Sequence, residues 1–155
     1  MEENTKKFSF SIRPFSINDM EAAHRLVYEL ATYEKAAEEV VTTPNTFEKD
    51  FKSGCFLGLI AEDQKKNVIG MAMYFYSYST WKGRILYLDD LVVDEKWRRH
   101  GVGKELFDAI VTEAKRSGVA VMKWQVLDWN QPALDFYAKY DADIEKDWWN
   151  GKLKF

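Results

Sequence analysis

Two short stretches of this chain carry side chains that could do chemistry. In LYLDDLVV, residues 86–93, the adjacent carboxylates Asp89 and Asp90 interrupt an otherwise apolar run. Charges rarely sit in a buried strand unless they are paired or functional. Adjacent strand residues normally face opposite sides, so both acids can address one site only if the strand bulges or splays there. Together they could hold a cation or accept a proton; facing apart, one would meet solvent and the other would form a structural ion pair.

The second stretch, RRHGVGKEL (98–106), sets Gly101 and Gly103 among Arg98, Arg99, His100 and Lys104, just ahead of an apolar helical pattern. Glycines let the backbone approach a ligand, successive N–H groups converge, and a helix N-terminus adds positive potential. That suits a pyrophosphate; it also suits a solvated basic turn capped by glycine. The spacing to a Gly-Lys-Ser/Thr that a Walker-type loop needs is absent, and no third glycine or alanine completes a dinucleotide fingerprint.

These stretches need elements to position them. FSFSIRPF (8–15) alternates as a first strand, and Ser16 with Asp19 resembles a capping box. Met20, Ala23, Val27 and Leu30 then recur at helical spacing. Pro44 after Thr43 opens a short helix with Phe47 and Phe51 one turn apart. Strands follow at CFLGLIAE (55–62), VIGMAMYFYSY (68–78) and RILYLDDLVV (84–93), the first two joined by the hairpin loop DQKKN. Val102, Leu106, Ile110 and Ala114 mark one face of a long helix, with Gly118 just past its end. VAVMKWQV (119–126) reads as a buried strand, Pro132 opens a helix with Leu134 and Ala138 one turn apart, and WWNGKLKF (148–155) reads as a strand. This order implies a mixed sheet flanked by helices. Without an internal repeat or a linker-like stretch, the 155 residues are expected to form a single domain, 1–155.

Composition narrows the function. A net charge of −3, from 25 acidic and 22 basic residues, argues against sequence-independent nucleic-acid binding and is compatible with a cationic substrate. The six Trp, eight Tyr and ten Phe are read chiefly as a core of large rings. The one cysteine, Cys55, lies in the apolar run CFLGLIA and is expected to be a buried thiol outside any disulfide framework. MEENTKKF lacks the apolar core of a signal peptide, and no run approaches membrane-spanning length, so a cytoplasmic protein with no membrane partner is expected.

The strand–turn–helix containing Arg98-Arg99-His100-Gly101-Val102-Gly103 resembles the acetyl-CoA motif (Q/R-x-x-G-x-G/A) of the GCN5-related N-acetyltransferases. VLDWNQPALDFY (126–137) is similar to that superfamily's later motif, in which an asparagine precedes a tyrosine-bearing helix. ELATYEK (29–35), YSTWKGRILYLDD (78–90) and Trp148 resemble the spermidine/spermine (diamine) and thialysine N-acetyltransferase branch.

The resemblance implies an α/β (mixed α+β) fold with a central, mostly antiparallel sheet, splayed at a β-bulge and flanked by about four helices. Acetyl-CoA is implied as co-substrate, with no metal. Leu91, Val92 and Val93 would lie beside its acyl-pantetheine arm. Arg98 and the stretch Arg99, His100, Gly101, Val102, Gly103 and Lys104 would receive the pyrophosphate, mainly through backbone amides, and Asn130 would contact the pantetheine side. Tyr137 would be the general acid at the sulfur and also part of the cofactor site. Asp89 stands where the branch has a glutamate base; being one methylene shorter, it points to a bridging water. Asp90, Tyr33, Glu34 and Trp81 would bind the substrate, a small cationic amine, through ion pairing and cation–π contact. Asp141 replaces the glycine usual after the catalytic helix and would tolerate the left-handed conformation needed there. The family leads to the expectation of a homodimer.

Four readings compete with parts of this one. His100 could be a catalytic base, and Tyr137 could simply pack in the core. The enzyme could acetylate proteins or peptides, or the chain could be a non-catalytic CoA-binding module.

Overall fold

The expected alternation and helical spacing become a five-stranded sheet with helices, seen in a computed structural model that describes residues 8–155. The stretch MEENTKK, read above for targeting signals, lies outside the described residues. The strands are β1 (Phe10–Pro14), β2 (Leu57–Asp63), β3 (Val68–Ser79), β4 (Gly83–Val93) and β5 (Val121–Lys123). They lie in the order β1-β2-β3-β4-β5, antiparallel except for the parallel pairing of β4 with β5. The α-helices are α1 (Met20–Tyr33), α2 (Pro44–Lys52), α3 (Val102–Arg116) and α4 (Gln131–Ala138). The chain divides into two compact units, one ending at Trp124 and one running from Gln125 to Phe155.

In the first unit each sheet face has its own cover. Met71, Met73 and Val92 belong to one buried cluster with Met20, Ala23 and Leu26 of α1 and Phe47 of α2. On the other face α3 buries Val102, Leu106, Phe107 and Ile110. Gly70 of β3 lets α3 come close: a Cβ there would stand 3.1 Å from Val92 O and 3.3 Å from both the Leu106 and Val102 side chains. Gly58 of β2 is tighter still, its missing Cβ falling 2.3 Å from two ring carbons of Phe15. That ring is penned edge-on by Phe51 and Phe56, each 6.3 Å away, and has nowhere to retreat. Gly58→Ala should therefore lower unfolding free energy by about 1–3 kcal/mol through overpacking, measured by urea denaturation.

An ion cluster fastens α1 to the sheet. The Arg13 fork grips Asp19 through two 2.8 Å bonds and Glu62 through Nε at 3.0 Å. Asp19 also accepts from Ser16 N and Oγ, as the capping-box reading expects. Burial would push the Asp19 carboxyl up, but the Arg13 and Ser16 bonds together outweigh it and hold it below its ordinary value.

Several expectations are corrected. Only Val121–Lys123 of the stretch 119–126 is strand, and residues 148–155 form none. Cys55 is exposed, because the chain is still turning off α2 through the left-handed Gly54 and enters β2 only at Leu57. In α1 and α3, Leu26 and Phe107 join the buried face. In the second unit, Tyr137 is the buried residue of α4, Phe136 is half-buried and Ala138 is exposed. Gly118 does end α3 in the left-handed region, at φ +70°, and Asp141 takes φ +52° as expected.

Candidate active site

The two carboxylates share a face because β4 carries one extra residue. Met73 of β3 pairs with Asp90 and Tyr74 with Leu88, leaving Asp89 without an opposite number. Below the bulge, Leu86 and Leu88 pair with Tyr76 and Tyr74, and the Tyr76 hydroxyl donates to Glu113 of α3 at 3.0 Å. Above it, Val93 pairs with Gly70, again on the α3 side. The alternation has slipped by one. Asp89 therefore follows Tyr87, and Asp90 precedes Val92, on the same α1-facing side of the sheet. The bulge that adjacent acids require is present.

A third acid joins them from α1. That helix ends with Lys35 in the left-handed region at φ +59°, which fixes Tyr33 and Glu34 at its C-terminus. Burial raises the carboxyls of Glu34 and Asp89 above their ordinary values. Asp90 goes furthest, pushed up to about 7 by burial and then by the negative charges of Asp89 and Glu34. Asp89 is itself exposed and Asp90 half-buried, yet their surroundings strip enough hydration to raise both carboxyls. Like charges gathered there favour a proton or a cationic ligand among them.

Beyond the bulge, β4 also has an open edge. β5 pairs only with Ile85, Leu86 and Tyr87, so the backbone from Leu88 to Val93 has no partner strand on that side among the described residues. Leu91 and Val93 are half-buried along it, and Val92 is buried toward α1. An extended ligand carrying amides could add there as a further strand.

The glycine turn follows directly. Arg99 and Gly101 both lie in the left-handed region, at φ +63° and +83°. Gly101 heads α3 with no side-chain cap, and the first of these amides to reach a helix carbonyl is Glu105 N, onto Gly101 O at 3.0 Å. The amides of Val102, Gly103 and Lys104 thus precede the helix's own bonding, at the positive end of four turns of aligned dipoles. Side chains contribute less than the sequence suggests. Lys104 Nζ is bound to Asp108 at 2.5 Å, and His100 Nδ1 lies 2.8 Å from Arg98 O. The Arg98 Nε donates to Val93 O at 3.1 Å. Gly101→Ala strains the turn without a clash and, if the turn receives a donor's phosphates as the sequence resemblance implies, should raise KM for acetyl-CoA about tenfold. Gly118→Ala imposes similar strain at the far end of α3; steady-state kinetics should find its KM unchanged.

Other expected site residues fall elsewhere. Trp81 is 83% exposed in the turn between β3 and β4. It precedes β4, which begins at Gly83 and carries Asp89 further along the strand. Within the second unit, Asn130 is buried and caps α4, its Oδ1 accepting from Ala133 N at 3.3 Å. Tyr137 lies two turns further along that helix and is 8% exposed.

A bulged β4, free of a partner strand beyond the bulge among the described residues, leads into a glycine turn with no side-chain cap. The family model described as "Acetyltransferase (GNAT) family" matches residues 19–141, and the chain belongs to that family. It is similar to thialysine N-epsilon-acetyltransferases: that of Caenorhabditis elegans is 32% identical over 86% of this chain and 82% of its own. The Bos taurus enzyme is 34% identical over 81% of each. The spermidine/spermine N(1)-acetyltransferase-like protein 1 of Homo sapiens is 30% identical over 90% of this chain but only 22% of its own length. An aminoglycoside acetyltransferase from an uncultured soil metagenomic sample, in complex with sisomicin, shares the fold at TM-score 0.77 and 20% identity, over 94% of this chain and 97% of that one. The protein is an acetyl-CoA-dependent N-acetyltransferase. Among the described residues, no helix is long and apolar enough to cross a membrane, and no group of three or more His, Cys, Asp or Glu is arranged to hold a metal.

Proposed function

We propose that the acceptor is a primary amine of a small cationic molecule, a polyamine, diamine or thialysine-like compound, attacked directly on the enzyme. The observation that carries this is the gathering of Asp89, Asp90 and Glu34 on one side of the sheet, next to the aromatic Tyr33. The names of the relatives, thialysine and spermidine/spermine acetyltransferases, support the same class.

The donor would lie along the open edge of β4 at Leu91, Val92 and Val93, with its pyrophosphate on the amides from Arg99 to Lys104. Asn130 would meet the pantetheine side. The substrate ammonium first gives a proton, through water, to the acid pair. An ordinary aspartate lies about six pKa units below an alkylammonium. An Asp90 near 7 closes about half of that gap, so the proton belongs to the Asp89–Asp90 pair rather than to Asp89 alone. The freed nitrogen bonds to the acetyl carbon as the carbon–sulfur bond breaks, and Tyr137 gives its proton to the departing sulfur. The proton then shed by the new amide nitrogen returns to the tyrosine through solvent.

Both compact units belong to one catalytic domain, 1–155, in this reading; the family match runs across their boundary at residue 124. A cytoplasmic homodimer is the expected form, and chromatography with light scattering tests the dimer. Thiol release from acetyl-CoA over spermidine, spermine, putrescine, thialysine, lysine and peptides tests the acceptor. Turnover should be fastest with a di- or polyamine or thialysine. Turnover with peptides alone would replace the reading with protein acetylation, and CoA binding without turnover would leave only a binding module.

A further inference from the structure

Arg98 opens the glycine turn, yet its side chain is engaged elsewhere. Its Nε donates to Val93 O at 3.1 Å, and its guanidinium carbon lies 5.7 Å from the centre of the Tyr33 ring. That separation is within cation–π range. One side chain thus touches both the last residue of β4 and the last residue of α1, immediately before Glu34. A second arginine strengthens the same seam. Arg25 of α1 places Nη1 3.4 Å from Asp94 Oδ2 and Nη2 3.4 Å from Val68 O. Two guanidinium groups therefore tie α1 to the strand ends beside the turn, Arg25 from partway along the helix and Arg98 at its C-terminus.

We infer that Arg98 is a positioning residue for the acceptor: it holds Tyr33, and with it the α1 terminus carrying Glu34, against the turn that receives the donor's phosphates. The inference rests on the reading of that turn as the phosphate site. Its distinctive claim is that an arginine inside the donor motif acts on amine binding. A guanidinium spent on phosphate would act on acetyl-CoA instead. The two roles separate in KM.

Initial rates with acetyl-CoA and the best amine of the panel should be measured for the wild type, Arg98→Gln, Arg98→Lys, Tyr33→Leu and Arg98→Gln/Tyr33→Leu. Arg98→Gln should raise the amine KM about three- to tenfold, the range of a single cation–π contact with its hydrogen bond, while the acetyl-CoA KM stays within twofold. Arg98→Lys keeps the charge but loses the flat fork, so it should share the amine defect; it carries the comparison if the glutamine variant folds poorly. In the Tyr33→Leu background, Arg98→Gln should shift the amine KM less than twofold, because the two residues act through one contact. A tenfold rise in acetyl-CoA KM for Arg98→Gln, restored by Arg98→Lys with the amine KM unmoved, would overturn the inference. Independent, multiplicative effects of Arg98→Gln and Tyr33→Leu would also overturn it. Loss of the underlying phosphate reading shows separately, as an acetyl-CoA KM untouched by Gly101→Ala.

Discussion

Tyr137→Phe should lower kcat by about a hundredfold or more while the affinity for CoA stays within twofold. A positioned general acid contributes on the order of 10²–10⁴ in rate. The substitution removes one oxygen from a buried site of α4 and keeps the ring that fills it. CoA would be gripped by the β4 edge and by the amides of the turn before α3. Single-turnover rates, together with CoA titration by calorimetry, measure the two quantities separately. Unchanged turnover would make Tyr137 a packing residue and leave the thiolate to depart unaided. An equal loss of CoA affinity would make the hydroxyl a binding group instead.

Asp90→Asn should stabilise the fold above neutrality and cripple amine binding. The sign follows from the direction of the shift. Asp90 titrates near 7 in the folded chain and at the ordinary 3.8 in the unfolded one. The folded state therefore holds a proton that the unfolded state has released, and the stability this provides is complete below about pH 4 and lost as pH rises through 7. Asparagine does not titrate. The variant's advantage should grow across that window and then level off. One pKa unit is worth about 1.4 kcal/mol, and coupling to Asp89 and Glu34 together with solvent screening of the half-buried Asp90 reduces the sum, so about 1–3 kcal/mol is expected. Thermal unfolding at pH 4, 6 and 8 measures it. The amine KM should rise at least tenfold at pH 8, and saturating diamine should stabilise the wild type more than the variant. A variant no more stable at pH 8 than at pH 4, relative to wild type, would mean that the three acids do not crowd one another.

Much of this site was legible in the sequence, for reasons that can be named. Paired charges in an apolar strand demand a bulge, and Asp89–Asp90 has one. The spacing carries a finer signal: Leu86, Leu88, Leu91 and Val93 recur at intervals of two, three and two, which marks the extra residue directly. Glycines before a helical pattern located the head of α3, since few other residues adopt φ near +83°. What could not be read was long-range. Trp81 has the residue type of a pocket wall, yet it is 83% exposed in the turn before β4, an exposure that residue type does not announce. Arg98 looked like phosphate chemistry because its sequence neighbours are glycines, whereas its neighbour in space is Tyr33, 65 positions earlier. Glu62 stands at the end of the apolar run CFLGLIAE, and its burial under Arg13 arises only when β1 pairs with β2. The terminal WWNGKLKF has strand-like residues, but pairing decides whether such a segment becomes a strand.

The bulge in β4 can also be regarded as a frameshift. Residues up to Leu88 are in one phase and those from Leu91 onward are in the other, with a single inserted residue between them. Removing Asp89 alone would bring the halves back into register, with every apolar side chain of β4 still on its proper face. The result would be an unbroken ladder, a sound core and one acid where there had been two. On the proposed reading, a single codon then carries the second acid of the site while leaving the pleat on either side of it unchanged.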